Sequence, residues 1–354
     1  MSLLDDLTSD RLVAPALPPP TARRRWPIRT TLTCLVAIMA ALAGVLWHVR
    51  ASRSTHDSPF FFGVNVPDAR AATFTELAGK LGVTPTVSSV FVKLDTAGVT
   101  QSIRALPAGV TPMVSLEPWS KNSSWGDAGE ADYRLSDLAD GRYDHDFRRI
   151  AEELRATGRT VYLRFAHEMN GSWYPWAEPV NGNAAGDFVR AWRHVHDVMA
   201  PILGGSTKWL WAPNIFAGTP ANAPRLATLY PGDQYVDLVG LTGYSRGGTS
   251  LTDTFCPTLS AIERVSVKPV VLAEIGVEGS GQAGWLGQLG PFVRSNPRIE
   301  GVVYFDTTPE TTGASGYYRI DKNAAALTAL RNSLVDLGVG GKAPTGRTDA
   351  ALTC

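Results

Sequence analysis

From residue 59 onward the chain repeats one pattern. A short, nearly continuous apolar run is followed by a polar break and then by apolar positions spaced three or four apart. The runs are PFFFGVNV (59–66), TVSSVFVKL (86–94), VTPMVSLEPW (110–119), TVYLRFAHE (160–168), TKWLWAPN (207–214), VDLVGLTGYS (236–245), KPVVLAEIG (268–276) and IEGVVYFDT (299–307). Helical spacing follows each, clearest in YDHDFRRIAEELRATG, AAGDFVRAWRHVHDVM and NAAALTALRNSLVDLG. Continuous rather than alternating apolar runs fit strands buried on both faces, as in a parallel sheet. Eight strand–helix units predict an α/β fold, a (β/α)8 TIM barrel over residues 59–340, rather than an open sheet.

The N-terminus has a different character. Residues 1–29 are basic and Pro-rich and read as a disordered cytoplasmic tail. Arg23, Arg24 and Arg25 precede TTLTCLVAIMAALAGVLW, an uncharged run close to the minimum for crossing a bilayer. Residues 30–48 are therefore expected to be a single transmembrane anchor or a signal segment. The long charged preamble favours an uncleaved anchor, while Val49-Arg50-Ala51 leaves a cleaved signal open. The positive flank puts the N-terminus inside and the barrel outside the membrane, tethered or secreted. Residues 49–58 read as a linker and 341–354 as a C-terminal tail.

Composition narrows the partners. Lys plus Arg and Asp plus Glu each number 33, so no charge excess points to nucleic acid. The membrane is a partner if residues 30–48 are retained, and the barrel is expected to act as a monomer. Cys256 and Cys354 both fall on the outer side, where disulfides persist, so a bridge between them is open. No Cys or His spacing marks a metal site, and neither metal nor cofactor is expected.

In such a barrel, chemistry belongs at the C-terminal ends of the strands. There the runs end in Asn65, Lys93–Asp95, Glu117 with Trp119, His167–Glu168, Asn214, Tyr244, Glu274 and Phe305–Asp306. Glu168 ends the fourth run and Glu274 the seventh, which face each other across a closed barrel. Paired carboxyls are what glycoside hydrolysis needs, one protonated to help the leaving oxygen depart and one ionised to meet the oxocarbenium-like centre. The ring-rich sequence RFAHEMNGSWYPW, with Trp173 and Trp176 close after Glu168, predicts a raised pKa and the acid role. Glu274 is then the nucleophile, with Tyr244 as a donor to it.

RFAHEMNGSWYPW followed by KPVVLAEIG resembles glycoside hydrolase family 26, chiefly its endo-β-mannanases, over residues 59–335. The resemblance implies a retaining double displacement with Glu168 as acid/base and Glu274 as nucleophile. It further implies that His167 shapes the site, Trp173 forms a sugar-contacting wall and Tyr244 hydrogen-bonds the nucleophile. Many mannanases of that family carry a His at the end of strand three, where this chain has Leu116-Glu117-Pro118-Trp119. The departure is closer to members outside the mannanases, including mixed-linkage β-glucanases. Mannan is thus the first expected polymer, and mixed-linkage or other β-glucan or xylan the alternative.

Simpler readings stand beside these. Glu168 could pair with Arg164, and Glu117 with Lys93 or Arg164. Trp119, Trp173 and Trp176 are expected as sugar platforms, and Asn214 as a sugar contact or a turn cap. A barrel that binds carbohydrate without cleaving it is the alternative of another class.

Overall fold

The computed structural model describes residues 60–66, 71–124, 126–246, 248–309, 316–340 and Cys354. The expected tail, the segment 30–48, the linker and residues 341–353 lie outside the described residues. Among the described residues no helix is long and apolar enough to cross a membrane.

Eight strands close into one parallel barrel in sequence order. They are β1 (Phe61–Asn65), β2 (Val87–Lys93), β3 (Thr111–Glu117), β4 (Val161–Phe165), β5 (Thr207–Trp211), β6 (Leu238–Ser245), β7 (Val270–Val277) and β8 (Ile299–Phe305). Around them run α1 (Ala71–Leu81), α2 (Val99–Arg104), α3 (Leu135–Ala139), α4 (Asp144–Arg155) and α5 (Asp187–Leu203). The ring continues with α6 (Leu226–Leu229), α7 (Leu251–Glu263), α8 (Gln282–Gly287), α9 (Leu289–Ser295) and α10 (Ala324–Asp336). The expected (β/α)8 architecture is borne out.

Strand periodicity splits the core into two layers. On β4, Leu163 and Phe165 point outward, and Phe165 meets Phe147 of α4 and Trp192 of α5 at ring distances of 5.9 and 5.8 Å. Those helices bury Phe147, Ile150, Ala151 and Leu154, and Phe188, Ala191, Trp192 and Val195, the three-and-four spacing of a helix face. Each large side chain so buried contributes about 1.5–3 kcal/mol. Inside the barrel, Val87, Met113, Leu210, Leu238, Val271, Ala273 and Val303 form a separate apolar plug. Phe61 stacks on Tyr162 at 5.5 Å against it. Above this plug the inward positions turn polar, with Ser89, Ser115, Arg164 and Thr242, and then open to a cleft.

One irregularity aims the chemistry. On β7, Val271 and Ala273 face the inner plug while Leu272 and Ile275 face the helices. Strict alternation would send Glu274 outward with Leu272. Instead β7 carries one extra residue against both neighbours. Gly240 pairs with Val271 but Thr242 with Glu274, and Leu272 pairs with Val302 but Ile275 with Tyr304. A bulge of this kind re-aims a side chain, and here it turns the Glu274 carboxyl into the barrel mouth.

Cys256 of α7 is joined to Cys354 by a disulfide, with Cα atoms 5.0 Å apart. The bridge left open by the sequence is present.

Candidate active site

The chain leaving β4 takes an unusual path. Ala166 and Glu168 both have positive φ, 45° and 56°, a region that side chains with a Cβ seldom occupy. Neighbouring strands hold this path. The amide of Ala166 donates to the carbonyl of Leu116 at 2.9 Å, and that of Glu168 to the carbonyl of Ala212 at 2.7 Å. Asn170 clasps the backbone of Asn214, donating to its carbonyl and accepting from its amide, both at 2.8 Å. Backbone strain kept in place by such over-determination is common at functional sites. It leaves Glu168 6% exposed at the floor of the cleft.

Gly171 and Trp173 complete the turn. The indole ring folds back so closely that a Cβ on residue 171 would sit 2.5 Å from it. From there Trp173 donates its Nε1–H to Glu168 Oε2 at 2.6 Å.

Glu274 is held by two donors. Arg164, fully buried on β4, donates Nη1–H to Glu274 Oε2 at 2.8 Å. Tyr244 of β6 donates its hydroxyl to Oε1. Tyr318 stacks on the Tyr244 ring at 4.4 Å, and Gly276 leaves room for both rings. A guanidinium and a phenol hydroxyl on one carboxylate suit an anion.

The two glutamates therefore sit in opposite electrostatic settings. Burial pushes Glu168 up to about 8, with the negative charge of Glu274 adding to the shift against the pull of Arg164 and Trp173. Burial, with the Glu274 and Glu168 charges beside it, holds Tyr244 well above the usual range, so it remains a donor. His167 is driven well below its ordinary value by burial and the Arg164 charge, and stays neutral. One carboxyl that keeps its proton and one bound as an anion can divide proton donation and nucleophilic attack between them.

The other expected site residues separate into wall and support. Trp119, Glu117, Trp173, Tyr244 and Asn214 line a cleft of about 1020 Å³ together with both glutamates. Glu117 accepts from Trp119 Nε1 at 3.0 Å. The alternative Arg164–Glu168 pairing is not made, because the guanidinium belongs to Glu274. Trp176 corrects the expectation of a platform. It is fully buried, donates Nε1–H to the His167 carbonyl at 2.6 Å and stacks on Tyr174 at 4.3 Å. No face of it is left for a sugar. His167 is likewise buried, packed on Tyr174 and Phe91, and acts from behind the wall. Asn214 lines the cleft, and its backbone is held there by the side chain of Asn170.

Several lining residues escaped the sequence reading. Phe91, 37% exposed on the cleft floor, is the most open ring of the site. Counting back by twos from Lys93 would have marked Phe91 and Ser89 as inward positions. Tyr174 and Tyr318 line the cleft from loops, where no periodicity points. Among the described residues no group of three or more His, Cys, Asp or Glu side chains is placed to hold a metal ion.

Residues 111–281, from β3 to just before α8 and including both glutamates, match the model of Glycosyl hydrolase family 26. Endoglucanase H of Acetivibrio thermocellus is 29% identical over 248 residues, covering 66% of this chain and 25% of that protein. Mannan endo-1,4-beta-mannosidase A and B of Caldalkalibacillus mannanilyticus is 32% identical over 130 residues, 35% of this chain and 23% of that protein. The chain thus spans about a quarter of the length of these curated relatives. A GH26 beta-mannanase from Bacteroides ovatus superposes with a TM-score of 0.60 at 15% identity, over 78% of this chain and 89% of that one. At that identity the structural likeness speaks for the fold alone. Residues 111–281, which carry the HEMNGSW turn and the seventh strand of the closed barrel, are thus a glycosyl hydrolase family 26 segment.

Proposed function

We propose that the chain is a retaining endo-β-glycosidase acting on an extracellular polysaccharide, with β-1,4-mannan as the first candidate. The observation that carries this reading is the unequal pair, Glu168 buried under Trp173 with its pKa raised by burial, and Glu274 anchored by Arg164 and Tyr244. In the first step Glu168 gives its proton to the glycosidic oxygen, the C1–O bond breaks, and Glu274 bonds to C1 as a glycosyl ester. Esterification removes the Glu274 charge, and with it part of what raises Glu168. Glu168, now a carboxylate and a weaker holder of protons, takes one from water. The resulting hydroxide adds to C1 and Glu274 departs as the anion, restoring both groups.

The cleft supports action on a chain rather than a single sugar. Its volume lies at the upper end of ligand pockets, and its lining runs from Lys93 and Ser123 across to Arg246 and Asp253. The Cys256–Cys354 disulfide supports a barrel outside the membrane, tethered or released. A β-glucan substrate is the second reading. It is favoured by Glu117 and Trp119 at the end of β3, and by the longer alignment with a protein named Endoglucanase H.

A reducing-end assay of the full chain on β-mannan, mixed-linkage β-glucan, β-1,3-xylan and cellulose tests this, with Glu168→Ala and Glu274→Ala in parallel. Hydrolysis of one polymer, lost in both variants, is the expected result. Binding without hydrolysis in the wild type would replace the reading with a carbohydrate-binding barrel.

A further inference from the structure

Glu117 is a third buried carboxyl on the cleft that the two-glutamate chemistry does not use. It ends β3, and its register partner on β2 is Lys93, so both side chains rise from adjacent strands into the barrel mouth. Neighbouring strands lie about 4.8 Å apart, a separation that one sugar ring spans. Although paired in register, the two form no ion pair within 4 Å among the described residues. Each is braced by other groups instead.

Lys93 donates to the carbonyls of Lys121 and Ser123, and its ammonium lies 5.1 Å from the Trp119 ring centroid. The loop supplying those carbonyls is tied back to the end of β2, since Lys121 donates its amide to Asp95 at 2.6 Å. An ammonium has three protons to give, and two are spoken for. Glu117 uses Oε2 to accept from Trp119 Nε1, and Trp119 is itself fixed edge-on against Tyr174 and Trp176. Its Oε1 is left to the cleft. The corner is thus rigid and still offers one cationic donor and one carboxyl oxygen.

We propose that Lys93 and Glu117 form a two-point clamp for neighbouring hydroxyls of one pyranose ring, and that this clamp sets which polymer is accepted. The inference rests on the hydrolase reading above and names its specificity determinant. A rigid pair of this kind reads hydroxyl orientation, because a ring presenting an axial hydroxyl in place of an equatorial one leaves one buried polar group unpaired. Burial, opposed by the Trp119 hydrogen bond and the Lys93 charge, brings Glu117 up to about 7. Near neutral pH the carboxyl therefore both donates and accepts. Neither residue acts on the reacting bond, so both are specificity-determining rather than catalytic.

The experiment measures kcat and KM of the full chain on β-1,4-linked mannohexaose and glucohexaose, for wild type, Glu117→Gln, Glu117→Ala and Lys93→Met, with a melting curve for each. Expected is a change of about 10-fold or more in the manno/gluco ratio of kcat/KM for Glu117→Ala and Lys93→Met, carried mainly by KM. Glu117→Gln, which keeps an acceptor for Trp119 and a donor to the cleft, should hold the manno/gluco ratio within about threefold of wild type, as the conservative rescue of the clamp. A uniform fall on both substrates, with the ratio unchanged, overturns the clamp and leaves a structural brace. If wild type hydrolyses neither hexaose, the four-polymer assay above decides the hydrolase reading separately. The clamp is then read from calorimetric binding of the same sugars, and identical preferences in wild type and Lys93→Met overturn it.

Discussion

Arg164 and Glu274 are ion-paired at 2.8 Å between β4 and β7, both buried, with the guanidinium fully closed off from solvent. The pair ties β4, which leads into Glu168, to β7, which carries Glu274, through the barrel interior. It also gives the cleft its asymmetry, because the cation that could have served Glu168 is committed to Glu274.

Arg164→Met should accordingly damage both stability and rate. Leaving one partner of a buried pair uncompensated costs about 3–5 kcal/mol. Loss of the charge that favours the anion of Glu274, the proposed nucleophile, should lower kcat by about 100-fold or more. The double variant Arg164→Met/Glu274→Gln removes the stranded charge, so its melting temperature should rise above that of Arg164→Met while its remaining activity is lost. Melting curves and initial rates on the same preparations check this. Equal melting temperatures for the single and double variants would refute it.

The raised Glu168 carboxyl makes a prediction about pH. In the proposed role of acid it must hold its proton, so kcat/KM should decline as pH rises through about 8. Stability should follow the same direction. The folded pKa lies above the ordinary 4.5, so the folded chain keeps a proton that the unfolded chain releases between those values. Its stabilising contribution is fully present below about 4.5 and lost progressively up to about 8. Glu168→Gln cannot titrate, so its melting temperature should vary less over this range than that of wild type. Scanning calorimetry from pH 5 to 8.5 measures the difference.

Much of this arrangement was legible in the sequence, for identifiable reasons. Eight apolar runs separated by helical spacing leave few folds other than the barrel, and strand ends then locate the chemistry. The HEMNGSW segment held its information locally, since Glu168, Gly171 and Trp173 meet within one turn. What stayed hidden depends on register. The continuous apolar run VVLAEIG does not reveal that a bulge after Leu272 is needed to turn Glu274 inward. Trp176 and Trp173 are alike in sequence, yet one packs behind the wall and the other faces the cleft. Arg164 is the last residue but one of β4, and only closure of the barrel shows that its partner is on β7.

Trp173 combines a wall and a hydrogen bond, and Trp173→Phe separates them. The ring remains while the Nε1–H donor to Glu168 Oε2 is lost. That hydrogen bond lowers the Glu168 pKa, so its removal should raise it further and move the alkaline limb of kcat/KM upward. kcat should fall about 10-fold, within the range of a single misplaced acid–base contact. A pH–rate profile of the variant beside wild type decides it, and a limb moving to lower pH would contradict the assignment.

Gly171→Ala tests the turn without altering any charged or hydrogen-bonding side chain. The new methyl group would stand 2.5 Å from the Trp173 ring, closer than carbon atoms approach. The ring must swing away, carrying its Nε1–H off Glu168 and shifting the wall of the cleft. Overpacking of this kind costs about 1–3 kcal/mol. A barrel with this much buried core should remain folded through that loss. The expected variant therefore melts a few degrees lower, retains its circular dichroism, and loses more activity than Trp173→Phe, because wall and hydrogen bond move together. The tryptophan fluorescence should change as well, since the indole leaves its carboxyl partner. Full activity in Gly171→Ala would mean that Trp173 can leave Glu168 without consequence, and would remove this ring from the account of how the acid is held.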